Sequence, residues 1–174
     1  MRPPLSTLGI VHTAISLVPL VAGLYAFARH RRIAPETRSG RVYLAGLVLS
    51  VLTTFGLSST GGFNAGHALG IVALLAMGGA LLAPRLTVLG RARPYLATLG
   101  LSFTFFLLLV PGINETLTRL PAAHPLASGP ESPLVKTALL GWLAIFGAGA
   151  ALQALALRAS RRRAGVSLSQ PPRG

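Results

Sequence analysis

Leu8-Gly9-Ile10-Val11-His12-Thr13-Ala14-Ile15-Ser16-Leu17-Val18-Pro19-Leu20-Val21-Ala22-Gly23-Leu24-Tyr25-Ala26-Phe27-Ala28 is an apolar run that contains no Asp, Glu, Lys or Arg. At about 1.5 Å per helical residue it measures roughly 30 Å, the thickness of a bilayer's hydrocarbon core. Ala26-Phe27-Ala28 resembles a signal-peptidase site. Two features oppose cleavage. The run exceeds the ~7–15 residues of a signal core, and cleavage would leave Arg29-His30-Arg31-Arg32 as a translocated N-terminus. An uncleaved first span is therefore expected.

Four more blocks of similar character follow, at about 42–58, 65–83, 95–114 and 134–157. The expected fold is all-α. One membrane domain over residues 1–174 holds five transmembrane helices, followed by a flexible tail over 158–174. The composition agrees: of 174 residues, 52% are hydrophobic and 11% charged, with mean hydropathy +0.65. A soluble domain carries about 25% charged residues, so lipid must cover most of this surface. The net charge of +13 would point to nucleic acid in a soluble chain. Here the basic residues sit in short clusters between apolar blocks, so they mark topology and no nucleic-acid partner is expected. With no Cys, disulfides and thiolate chemistry are excluded.

Charge placement orients the bundle. With the N-terminus outside and the C-terminus in the cytoplasm, 13 of the 16 Arg and Lys fall on cytoplasmic segments. Only Arg2, Arg119 and Lys136 are left outside. Within the blocks, Gly46, Ser50, Thr53 and Leu57 form a small and polar stripe suited to helix packing, as does Gly147-x-x-x-Ala151. Pro19 is expected to kink the first helix, and Pro111-Gly112 to kink or end the fourth. Tyr25, Tyr43 and Tyr95 fall where an interfacial aromatic belt belongs.

This topology gathers the scarce ionisable groups at the outer end. His12, His67 and Glu115 come to one depth on three helices, with Asn64, Asn114, Thr116, Thr118 and Arg119 nearby and His124 on the loop above. Ionisable groups at such depth usually face a bundle interior or a water-filled cavity. Four readings stay open. In the structural one, the groups cap helices, and Glu115 and Arg119, four apart, make a surface ion pair. In the second, His12 and His67 ligate haem b from facing helices, Gly9, Ser16, Gly66 and Gly70 leave room for the macrocycle, and Arg119 neutralises a propionate. In the third, His12, His67, Glu115 and His124 hold a divalent metal. In the fourth, Glu115 or a His carries a proton in small-solute transport; the short chain lacks the paired broken helices of a full transporter. No Walker-type loop, G-x-S-x-G or dinucleotide fingerprint occurs.

His12 with the helix after it, Ser39-Gly40-Arg41-Val42-Tyr43, and Asn114-Glu115-Thr116-Leu117-Thr118-Arg119-Leu120-Pro121 resemble small bacterial membrane proteins grouped as a domain of unknown function. The resemblance covers the first four helices. It implies a multi-span membrane protein of the bacterial cytoplasmic (inner) membrane and carries no activity. That group often has a His just before Gly-Arg-x-Tyr, where this chain has Thr37-Arg38-Ser39, so no ligand role comes to that position. The expected role is structural or accessory. The expected partners are the bilayer and either another membrane subunit or further copies of the chain.

Overall fold

The computed structural model describes residues 7–57, 62–121 and 123–168, with side chains described as far as residue 163. These residues form five α-helices and no strand: α1 (Thr7–His30), α2 (Arg38–Thr54), α3 (Ala65–Leu82), α4 (Arg93–Arg119) and α5 (Pro133–Leu168). Two 3-10 turns, Ala83–Arg85 and Thr87–Ala92, join α3 to α4. Four of the five helices are long and apolar enough to cross a membrane; α2, at 17 residues, is shorter. The outward faces carry large apolar side chains, among them Val21 at 64%, Leu75 at 70% and Leu152 at 68% exposure. Contiguous apolar surface on this scale requires a non-aqueous neighbour.

The helices start and stop where local chemistry dictates. α1 closes at Arg31, whose φ of 58° is the left-handed cap conformation, and the Arg31 N–H donates to Phe27 O at 2.9 Å. α2 begins earlier than its apolar block. Thr37 is its cap, the hydroxyl accepting from Gly40 N at 3.0 Å, so Arg38 and Arg41 belong to the first turn and not to the loop. The predicted end of this block, Ser58, lies outside the described residues. α3 opens on Asn64 through a capping box with His67. α4 does not stop at Pro111. It continues to Arg119, with the Pro111 ring exposed on the wall of an open cleft. α5 runs past its predicted end at 157 to Leu168, through the arginine cluster, so the flexible tail expected from 158 is helical that far. Ala, Leu and Arg are all strong helix formers. Arg161 also anchors the turn, donating to Arg91 O at 2.8 Å and lying over the Tyr95 ring. Residues 169–174 lie outside the described region.

Successive helices pack antiparallel. The tightest seam is α1 on α2, where Gly46 faces Pro19: a Cβ at Gly46 would come within 2.8 Å of the Pro19 ring. The predicted small stripe on α2 therefore faces a helix, as expected. α4 stands in the middle, against α3, α5 and part of α1. Phe105 sits over Gly23 and meets Phe27 edge-to-face at 5.2 Å. Tyr43 departs from the belt expectation. It is fully buried in this core, and its hydroxyl pairs with Thr104 Oγ1 at 2.7 Å. Among the three tyrosines only Tyr25 is well exposed, at 58%. Gly147-x-x-x-Ala151 also departs from expectation: nothing lies within 4 Å of a Cβ built at Gly147, and Ala151 is exposed. α5 packs on α4 through its other face, with Val135, Trp142 and Phe146.

Candidate functional site

The start of α1, the end of α2, the start of α3, the end of α4 and the start of α5 gather at one end of the bundle, here the histidine end. The opposite end carries most of the arginines.

His12 does not face His67. Its Nδ1 lies 2.8 Å from Thr53 Oγ1 on α2, and Ser16 Oγ lies 3.4 Å from its Nε2. Ser16 in turn meets Ser50 Oγ at 2.6 Å. The Thr53 hydroxyl proton is committed to the Leu49 and Ser50 carbonyls, so His12 Nδ1–H is the donor to Thr53. Nε2 is then an acceptor for Ser16. One turn of α1 and one turn of α2 are thus stitched together by four polar side chains.

His67 is buried, at 4% exposure. Its Nδ1 accepts from Asn64 N at 3.2 Å, while its own N–H donates to Asn64 Oδ1 at 3.1 Å. Its Nε2 lies 3.1 Å from Thr54 O and is the donor there, because a carbonyl can only accept. Phe55 stacks on the ring at 5.0 Å, with planes 2° apart. Both imidazole nitrogens are engaged, Nδ1 as acceptor and Nε2 as donor. His12 and His67 therefore meet α2 at consecutive residues, Thr53 and Thr54. A Cβ at Gly66 would meet the Thr54 methyl and one at Gly70 would meet Val51, both on α2, and both glycines border an open cleft.

Glu115 and Arg119 form the expected i,i+4 ion pair, half-exposed on the last turns of α4. His124 is exposed on the loop that follows. Thr118 is buried and donates to Asn114 O at 2.8 Å. Asn114 Oδ1 is buried with no hydrogen-bond partner among the described residues. Among the described residues, no three His or carboxylate side chains come together in a group that could hold a metal.

A cleft of about 570 Å³ opens at this end, and all five helices contribute to its wall. His12, Ser16, Ser50 and Thr54 line one side, Glu115 and Thr116 another, and the remaining lining is mostly Leu, Val, Ala and Gly. His67 is not part of the lining. The chemistry it offers is one imidazole, one carboxylate and several hydroxyls around an apolar interior.

The sequence pointed only to this end. The larger cavity, about 800 Å³, lies at the arginine end between α1, α4 and α5. Aromatic and aliphatic side chains line it, with His30, Arg31 and Arg32 at its mouth. Gln153 crosses it: Oε1 accepts from Ser102 Oγ at 2.8 Å, and Nε2 donates to Arg31 O at 2.9 Å. Gln153 is the one side-chain amide in the apolar block 134–157. A lone amide in such a run was the available sign that α5 meets a polar group there.

Comparison with protein-family models, with curated proteins and with solved structures returns no match for this chain.

Proposed function

We propose that this chain is a five-span protein of a bacterial cytoplasmic membrane, N-terminus outside and C-terminus inside. Its role is structural or accessory, and the two histidines at the outer end, His12 and His67, are committed to holding helices together. One observation carries this reading: both ring nitrogens of His67 are already engaged, by Asn64 N and by Thr54 O. Ligating a metal or haem iron through either nitrogen would break a helix cap or a tie between helices. His12 is committed in the same way to Thr53 and Ser16. α2, though short, is long enough to span if the arginines of its first turn reach toward the headgroups.

The test is an absorbance spectrum of the purified protein, expressed with ample haem, before and after dithionite. The expected result is no Soret band, and no stoichiometric zinc or iron by metal analysis. A Soret band that shifts on reduction and disappears in His12→Ala or His67→Ala would overturn the reading in favour of haem b.

A second reading rests on a separate observation, that His12 and Glu115 line one cleft. An acid and a base lining one cleft are what a proton-coupled passage for a small solute needs. It predicts proton flux in liposomes that fails in Glu115→Gln. Equal flux in that variant and in empty liposomes would remove it.

A further inference from the structure

The groove at the arginine end is lined by Leu24, Phe27, Phe105, Trp142, Ile145 and Phe146. Gly149 leaves its α5 wall open, with nothing within 4 Å of the place a Cβ would occupy. The polar groups that reach the wall are paired with protein: Ser102 with Gln153, Gln153 with Arg31 O, and Trp142 Nε1 with Phe106 O at 3.1 Å. The interior therefore favours a hydrocarbon occupant over a polar solute. The mouth is cationic. His30, Arg31 and Arg32 are exposed there, and Arg32 shares its charge with Glu36 at 2.8 Å. Arg31 holds no carboxylate among the described residues. This is also the end that carries most of the chain's +13 charge, at the level where lipid headgroups would lie.

We propose that the groove holds one acyl chain of an anionic phospholipid from the leaflet at the arginine end, with the headgroup phosphate on Arg31. The proposal rests on the membrane-spanning reading but not on the accessory role. Charge supplies the selectivity and the aromatic slot supplies the seat. A zwitterionic lipid brings the same phosphate to the slot, but its ammonium offsets the negative charge that Arg31 meets, so it is held more weakly.

Trp142 is the only tryptophan and lies in the wall, so it reports occupancy directly. The full chain is reconstituted in phosphatidylcholine bilayers containing a small fraction of brominated-chain phosphatidylglycerol, or the same fraction of brominated-chain phosphatidylcholine. Bromine quenches indole on contact. The expected result is half-maximal quenching by the glycerol lipid at about a five-fold lower mole fraction, the selectivity of one arginine near the surface. Arg31→Gln should erase the difference between the lipids. Gly149→Leu fills the slot on an exposed helix face and should remove the excess quenching while leaving circular dichroism unchanged. Equal quenching by both lipids in the parent would overturn the proposal, since it describes ordinary surrounding lipid. Excess quenching that persists in Gly149→Leu would also overturn it, by moving the lipid elsewhere. No quenching by either lipid would instead overturn the membrane-spanning reading itself.

Discussion

Replacing His67 separates a helix tie from a ligand. The ring makes three contributions: Nδ1 completes the capping box at Asn64 N, Nε2–H reaches Thr54 O on α2, and the face stacks on Phe55. A capping interaction contributes about 1 kcal/mol, and half of this one survives in any variant through Asn64 Oδ1 and the residue-67 N–H. An interhelical hydrogen bond in a membrane averages about 0.6 kcal/mol, rising to about 1.7. The ring stack adds about 0.5–1.5 kcal/mol. His67→Ala should therefore cost about 2–3 kcal/mol. His67→Gln should cost about 0.5 kcal/mol less than His67→Ala, because Gln at this helix position can still reach back to the cap N–H. The assay is reversible unfolding in mixed micelles of a mild detergent and dodecyl sulfate, followed by circular dichroism. Both variants within about 0.5 kcal/mol of the parent would refute the tie, since that is the scatter of an ordinary surface substitution. A Gln variant as damaged as the Ala variant would refute the capping-box part of it.

Two further predictions concern other segments. Gly40→Ala should destabilise by about 2–4 kcal/mol through overpacking and loss of the Thr37 cap. Its Cβ would lie 1.9 Å from the Ala34 carbonyl oxygen, which Thr37 also grips at 2.8 Å. Gly78→Ala is the control: its Cβ meets nothing within 4 Å, so the same unfolding assay should read no loss and up to about 1 kcal/mol of gain. At the loop before α5, Lys136 bonds Glu131 at 2.8 Å, and that hydrogen bond, then its charge, holds the Glu131 carboxyl below the usual range. A lowered folded-state pKa stabilises above the unfolded value, and the contribution is lost as pH falls through the folded one. Carboxyl NMR titration should show Glu131 moving up in Lys136→Met, and moving part of the way in high salt. Identical titrations in the two proteins would contradict the pairing.

The helices were legible because bilayer-length apolar runs have few other solutions. The start of α2 was misjudged because hydropathy counted Arg38 and Arg41 as loop, whereas Thr37 and Gly40 set the boundary by capping and close approach. The sequence left open whether His12 and His67 face each other, and their partners are Thr53 for the one and Asn64 and Thr54 for the other. Depth follows from counting residues, but the direction of a side chain depends on which helix comes between, and α2 reaches both. Tyr43 was assigned to the interface by position alone, yet Thr104, 61 residues away, gives its hydroxyl a buried partner. The arginine-end groove was missed because cavities arise from what small residues such as Gly149 leave empty. A list of ionisable groups does not register that.

Topology is the most direct test of the account, and the natural absence of Cys makes it clean. Single cysteines would be placed at His124, exposed on the loop after α4, and at Val88, 89% exposed between α3 and α4. Each would be probed in intact cells with a membrane-impermeant maleimide. The account predicts that His124→Cys is labelled in intact cells and Val88→Cys only after lysis. Labelling of Val88→Cys in intact cells, with His124→Cys protected, would invert the bundle. Equal labelling of both before lysis would contradict the spanning fold.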